Sequence, residues 1–175
     1  MPALPYTLDT DEPRAIGLIV LQTDERLERD FRTLLPADAA LFVSRVPSGA
    51  QVSSDSLQAM ADHLSASARL LPPGMRAVGY GCTSGATRIG PERVAAAVRQ
   101  GISARHVTDP LSAVIAATGA LGVRRLGFVT PYLPEVSGAM RAALEAAGLE
   151  IAGFGSMEEE NDERVARIDA PSLRR

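Results

Sequence analysis

Apolar residues fall along this chain in two alternating periods. Continuous runs at Ala15 to Leu21, Ala39 to Val46, Ala77 to Gly81, Arg105 to Thr108, Leu126 to Thr130 and Leu149 to Phe154 are bounded by turn residues. That is the pattern of strands buried on both faces. Between them, Asp24 to Leu35, Ser54 to Leu71, Pro91 to Gln100, Pro110 to Leu121 and Pro134 to Ala147 carry apolar residues at helical spacing, clearest at Leu57, Met60, Ala61, Leu64, Ala68 and Leu71. Pro91, Pro110 and Pro134 suit first helical turns, where no N–H is needed, and Gly122 and Gly148 stand where helices stop. Strict alternation of strand and helix predicts an α/β fold, with parallel sheets covered by helices on both faces. Residues 1–13, with Pro2, Pro5 and Pro13 among polar neighbours, read as a flexible N-terminal arm.

A repeat runs through the pattern. Arg14-Ala15-Ile16-Gly17-Leu18-Ile19 precedes Arg124-Arg125-Leu126-Gly127-Phe128-Val129 by 110 positions, and the same offset sets Leu34 on Leu144 and Leu41 on Ile151. Each copy reads strand, helix, strand. Chance resemblance of two βαβ units is the alternative, since such units recur throughout α/β proteins. If the repeat holds, residues 14–121 form a first α/β half-domain and 122–175 the start of a second. Cys82 would then recur at position 192, past Arg175, so the second half is expected to be incomplete.

Composition narrows the chemistry. Hydrophobic residues make up 46% and charged residues 22%, with mean hydropathy +0.04, as in a globular chain. The apolar run Ala15 to Leu21 is far below the ~18 to 20 residues that span a bilayer. Net charge −3 with scattered Arg residues gives no basic stripe for nucleic acid or anionic membrane. All 18 basic residues are Arg, which excludes a Schiff-base lysine, a pyridoxal phosphate anchor and a Walker A loop within the chain. The single Cys, Cys82, cannot form an intrachain disulfide or a thiolate zinc cage, and His63 and His106 lack motif spacing, so no metal site is expected. A free thiol and no secretory signal pattern favour the cytoplasm.

The informative stretch is Gly79-Tyr80-Gly81-Cys82-Thr83-Ser84-Gly85-Ala86-Thr87-Arg88-Ile89-Gly90-Pro91. It follows a buried strand and is rich in Gly and hydroxyl residues, so its backbone N–H groups can converge on an anion and favour a thiolate at Cys82. A small buried Cys ending a strand is the plainer alternative. Two chemistries fit a functional thiol. Cys82, Gly85 and Arg88 make the Cys-x5-Arg spacing of a thiol phosphatase, with Asp109 as a possible general acid, although Ile89 stands where a Ser or Thr is expected after the Arg.

The other comes from resemblance. Gly17-Leu18-Ile19-Val20-Leu21-Gln22-Thr23-Asp24, Val43-Ser44-Arg45-Val46-Pro47, Gly79-Tyr80-Gly81-Cys82-Thr83-Ser84-Gly85, Val107-Thr108-Asp109-Pro110 and Leu121 to Leu126 leading to Thr130-Pro131-Tyr132 cover nearly the whole chain after the arm. As a set they resemble the aspartate/glutamate racemase superfamily, in the branch of maleate cis-trans isomerase and arylmalonate decarboxylase, with wording nearest the ectoine-utilization protein A group. The resemblance implies flavodoxin-like half-domains related by a pseudo-repeat, and a cofactor-independent isomerase, racemase or decarboxylase-type enzyme acting on a small carboxylate through an enediolate. It implies Cys82 and Tyr132 as catalytic residues, and Gln22, Thr23, Thr83, Ser84, Thr130 and Asn161 as substrate-binding residues. It also implies a second Cys after a later strand, which this chain does not hold.

Each assignment has a plainer counterpart. Tyr132 also suits a turn as an amphipathic residue, Gln22 and Thr23 also suit a helix cap, and Asp109-Pro110 reads as a cap and first turn. Glu158-Glu159-Glu160, with Asp162-Glu163, reads as a solvated helix start. A noncatalytic carboxylate-binding accessory protein is the third class, and Ala-rich helices leave room for a homo-oligomer.

Overall fold

The computed structural model describes residues 3–8, 14–48 and 54–174. Residues 3–8 of the arm form no regular element, and Leu4, Tyr6 and Leu8 are exposed; the rest of the expected arm lies outside the described residues. Strands β1 (Arg14–Leu21), β2 (Ala39–Val46), β3 (Met75–Tyr80) and β4 (Ala104–Thr108) form a parallel sheet in the order β2-β1-β3-β4. β5 (Arg125–Thr130) and β6 (Glu150–Ser156) pair in parallel as a second sheet. The helices are α1 (Leu27–Leu34), α2 (Ser54–Ala68), α3 (Thr83–Ile89), α4 (Pro91–Gly101), α5 (Pro110–Leu121), α6 (Pro134–Ala146), α7 (Asp162–Val165) and α8 (Ala170–Leu173).

The continuous apolar run predicts a strand buried on both sides, and β1 is one. Leu18, Ile19 and Val20 point alternately to opposite faces and are 1%, 0% and 0% exposed. Each such side chain contributes roughly 1.5–3 kcal/mol on leaving water. α2 and α4 pack together over one face, with Leu64, Ala68, Val94 and Val98 in the core. A Cβ at Gly101 would run into the Ser65 carbonyl and sit 2.7 Å from the Ala68 Cβ. Only glycine lets α4 end this close to α2.

The repeat is visible in the register. Arg14 pairs with Ala39 and Arg125 with Glu150, both 25 residues apart, until a bulge between Leu126 and Gly127 slips the second pairing by one. α5 lies between the two sheets in the chain, and its Leu111 packs with Leu144 and Leu149 against β5 and β6. Asp109 caps α5, accepting from the Ser112 N–H at 3.0 Å and its hydroxyl at 2.6 Å, with Pro110 at the first helical position.

The stretch after Cys82 departs from the expected loop. Residues 83–89 are helical, and Gly90 at φ 93° both ends α3 and starts α4. The short helices α7 and α8 also lie beyond what the pattern predicts, with α7 starting after the acidic run.

Candidate active site

β3 delivers the thiol. Tyr80 ends the strand, the Gly81 N–H donates to the Ile19 carbonyl at 2.8 Å, and Cys82 then takes the N-cap position of α3 with extended backbone. Its Sγ accepts from the Gly85 N–H at 3.2 Å, as a capping oxygen would. The Ser84 Oγ stands 3.5 Å from the sulfur. Strand alternation sets Tyr80 on the same side as Cys82, and its hydroxyl lies between Sγ and the Met60 Sδ, 3.8 Å away. A Cβ at Gly85 would sit 2.9 Å from the sulfur and also strike the Tyr80 hydroxyl, so glycine makes this cluster possible.

Cys82 is 4% exposed, and its burial decides its charge. Desolvation pushes the thiol up, outweighing the hydrogen bonds from Ser84, Gly85 and Tyr80; the Asp162 carboxylate pushes the same way. Loop amides alone predict a stabilised thiolate; the structure instead favours a neutral thiol, because those amides come with an apolar surround.

The second sheet supplies Tyr132 from the turn after β5. Its N–H donates to the Thr130 Oγ1 at 3.3 Å, and its carbonyl accepts from the Ser137 Oγ at 2.9 Å and from the Ser156 Oγ. The phenol feels both the Ser84 hydroxyl and the Cys82 sulfur electrostatically, which sets it beside the same cluster. Burial, then the Cys82 charge, pushes the Tyr132 hydroxyl well above the usual phenol range.

The turn after β1 supplies Thr23. One guanidinium nitrogen of Arg45 donates to the carbonyls of Leu21, Gln22 and Asp24 at 3.0, 3.2 and 2.8 Å and fixes that turn. Asp24 caps the following segment, accepting from the Leu27 N–H at 2.8 Å. The Thr23 Oγ1 donates to the Asp162 Oδ2 and lies 3.4 Å from the Ser48 Oγ. Asp162 opens α7, is 9% exposed, and bears electrostatically on both Cys82 and Tyr132. Beside it, Arg167 grips Glu25 with a fork at 3.0 and 2.6 Å.

The structure thus gathers Cys82, Ser84, Tyr132 and Thr23. It places the other expected residues differently. Gln22 is exposed, with its N–H bonded to the Val46 carbonyl at 2.9 Å. Thr83 opens α3, and its carbonyl accepts from the Thr87 Oγ1 at 2.9 Å. Thr130 is 1% exposed beneath the Tyr132 turn, and Asn161 caps α7 by accepting from the Arg164 N–H at 3.1 Å. Asp162, one residue on, holds the position facing Thr23. Asp162, expected on a solvated helix start, is instead buried because its carboxylate turns inward to the Thr23 hydroxyl. Sequence reasoning missed Tyr80 and Arg45; period-two alternation from Cys82 would have found Tyr80. His63 and His106 are exposed.

The phosphatase geometry is absent. That chemistry needs an open loop curling Arg88 back over the sulfur, whereas Arg88 is exposed in the last turn of α3. Among the described residues no group of three or more His, Cys, Asp or Glu is placed to hold a metal ion, and no helix is long and apolar enough to cross a membrane.

A buried thiol at a helix N-cap, between two parallel α/β units that each lend a turn, defines the arrangement. Solved structures share the α/β fold. A cysteine-to-alanine variant of maleate isomerase from Pseudomonas putida S16, crystallised with maleate, superposes with TM-score 0.76 at 20% identity, over 91% of this chain and 69% of that one. A Nocardia farcinica maleate cis-trans isomerase variant, holding a covalently bound succinylcysteine intermediate, gives 0.77 at 23% identity over 92% and 70%. A liganded double variant of arylmalonate decarboxylase gives 0.70 at 26% identity over 91% and 68%. No known family matches by its sequence model, and no curated protein matches by sequence.

Proposed function

We propose that this protein is a cofactor-independent enzyme of the aspartate/glutamate racemase superfamily, in the branch of maleate isomerase and arylmalonate decarboxylase, acting on a small carboxylate through Cys82. The observation that carries this is the buried Cys82 sulfur at the start of α3, which accepts from the Gly85 N–H at 3.2 Å, lies 3.5 Å from the Ser84 hydroxyl and bears electrostatically on the Tyr132 phenol from the second sheet. The fold shared with enzymes described with maleate and with a succinylcysteine supports it. The wording of the sequence motifs extends the proposal to ectoine utilization in the cytoplasm.

In its ionised form, the minor one at neutral pH because burial raises the thiol, the Cys82 sulfur takes a proton from the carbon beside a carboxylate, breaking C–H and forming S–H, or adds to an unsaturated carbon. Either way an electron pair moves onto the carboxylate oxygens. Donors must meet that charge where it develops. Ser84, Tyr80 and Tyr132 are hydroxyls that bear on the sulfur, and the raised Tyr132 keeps its proton to donate. The step proposed for Cys82 acts on one face of the substrate carbon.

Proton exchange tests a one-sided step directly. NMR in D2O should show wild type replacing the α-hydrogen of a small carboxylate with deuterium, and Cys82→Ala slower by at least about a thousandfold. Equal exchange by the two proteins sinks the reading. Alkylation of Cys82 by iodoacetamide should rise with pH to a midpoint above the ordinary thiol value of 9.0.

A further inference from the structure

β2 leaves an edge that the fold does not use. The N–H and C=O groups of successive strand residues point to opposite sides of the strand. The Val46 carbonyl accepts from the Gln22 N–H at 2.9 Å, so the even-numbered residues of β2 face β1, and Leu41, Val43 and Arg45 turn their N–H and C=O groups outward. Among the described residues no other strand stands beside β2. An edge of eight residues in unbroken register invites another strand and is ordinarily blunted by a lysine, a proline or a bulge. Ala39-Ala40-Leu41-Phe42-Val43-Ser44-Arg45-Val46 has none of these. Its one charge leaves the edge bare as well, since the Arg45 guanidinium reaches across to the turn after β1.

The chain carries a segment of matching form. Leu4, Tyr6 and Leu8 alternate with Pro5 and Thr7, the period of a strand with one apolar face, and are 85%, 84% and 79% exposed. Pro5 falls in the silent phase of that alternation. A strand that bonds a neighbour through residues 4, 6 and 8 turns position 5 away, where a missing N–H costs nothing. The other edges fit less well: β4 spans five residues with Arg105 and His106 exposed, and the β5–β6 pair is interrupted by a bulge and by Gly127, Gly153 and Gly155.

We propose that residues 4–8 of one copy add a strand to the free β2 edge of a second copy, and that the reciprocal exchange joins two chains as a symmetric dimer. The occupant is a second copy because edge and segment belong to one sequence, while within a single chain the apolar face of the segment is left in solvent. This interface is independent of the chemistry at Cys82.

Size exclusion with light scattering reads the assembly directly. At about 100 μM, wild type should show twice the mass of one chain and dissociate on dilution. Deleting residues 1–8 should give a monomer, and residues 3–8 add no regular element to the fold. Val43→Pro removes an outward N–H without breaking the ladder to β1 and should do the same, while Tyr6→Glu should weaken the dimer at least tenfold. Thermal unfolding and an unchanged rate of Cys82 alkylation check that the variants are folded. Amide exchange locates the contact: the Leu41 and Val43 N–H groups should be slow in wild type and fast in the shortened chain. A monomeric wild type overturns the inference, and so does a dimer that survives both the deletion and Val43→Pro. Slow exchange at Leu41 and Val43 in a monomer would assign the arm to its own edge and overturn the exchange between copies.

Discussion

The units β1-α1-β2 and β5-α6-β6 begin from the same strand pairing and end in different surroundings. Both begin their pairing at a separation of 25 residues, which the bulge after Leu126 makes 26 in the second. In the first, β1 lies inside a sheet with β2 and β3 as neighbours, and Leu18, Ile19 and Val20 are sealed on both faces. In the second, among the described residues, β5 has only β6 beside it, and Val129 and Phe154 are 59% and 46% exposed. Local pattern sets strand and register; the elements gathered around a strand set how much of it is buried. Both units nevertheless secure the turn after their first strand through its backbone oxygens. Arg45 on β2 does this for the Thr23 turn, and Ser137 with Ser156 does it for the Tyr132 turn.

The comparison breaks most visibly in stability. Leu18→Ala should cost about 3 kcal/mol in urea unfolding, as a large-to-small change at a sealed site, while the equivalent truncation Val129→Ala should stay within about 0.5 kcal/mol. Similar losses at both positions would mean that Val129 is covered in solution. Gly85→Ala acts where the two units meet. Its methyl must displace the Cys82 sulfur, so a loss of about 2 kcal/mol is expected, together with a changed rate of thiol alkylation. Unaltered alkylation would show that the sulfur is not held by this contact. The smallest effect is expected from Arg45→Ala, about 1 kcal/mol, with faster amide exchange confined to the turn after β1 and none at the Tyr132 turn. Exchange that quickens at both turns would show them to be coupled.

Glu25 and Arg167 join the same region from the surface. The Arg167 fork lowers the Glu25 carboxyl, so whatever the pair adds is present above the ordinary carboxyl range and lost as pH falls through the lowered value. The sign for Cys82 is opposite. Its raised thiol favours the fold below the ordinary thiol value and loses that contribution as pH rises.

Most of the fold is legible in the sequence because its strands are continuous apolar runs and its main helices start at Pro or stop at Gly. Residues 83–89 escape that logic. Thr83, Ser84, Gly85 and Thr87 are poor helix formers, and their helix depends on the Cys82 cap and on burial of Ser84, Ala86 and Ile89. Cys82, Ser84, Tyr132 and Thr23 can be named from motifs because their types are distinctive. Asp162 could not be, since Asn161 matches the expected residue type and only the helix cap shows which of the two neighbours turns inward. The protonation of Cys82 was equally hidden: donors can be read from a sequence, whereas the apolar packing that outweighs them is assembled from α2, α3 and α6.

Arg45 holds the turn after β1 by main-chain oxygens alone. Its grip is therefore indifferent to which side chains the turn carries. Positions 22 and 23 are free to be exchanged while the backbone path stays fixed, which makes this turn a natural place for the site to acquire new selectivity, by evolution or at the bench, without a new fold.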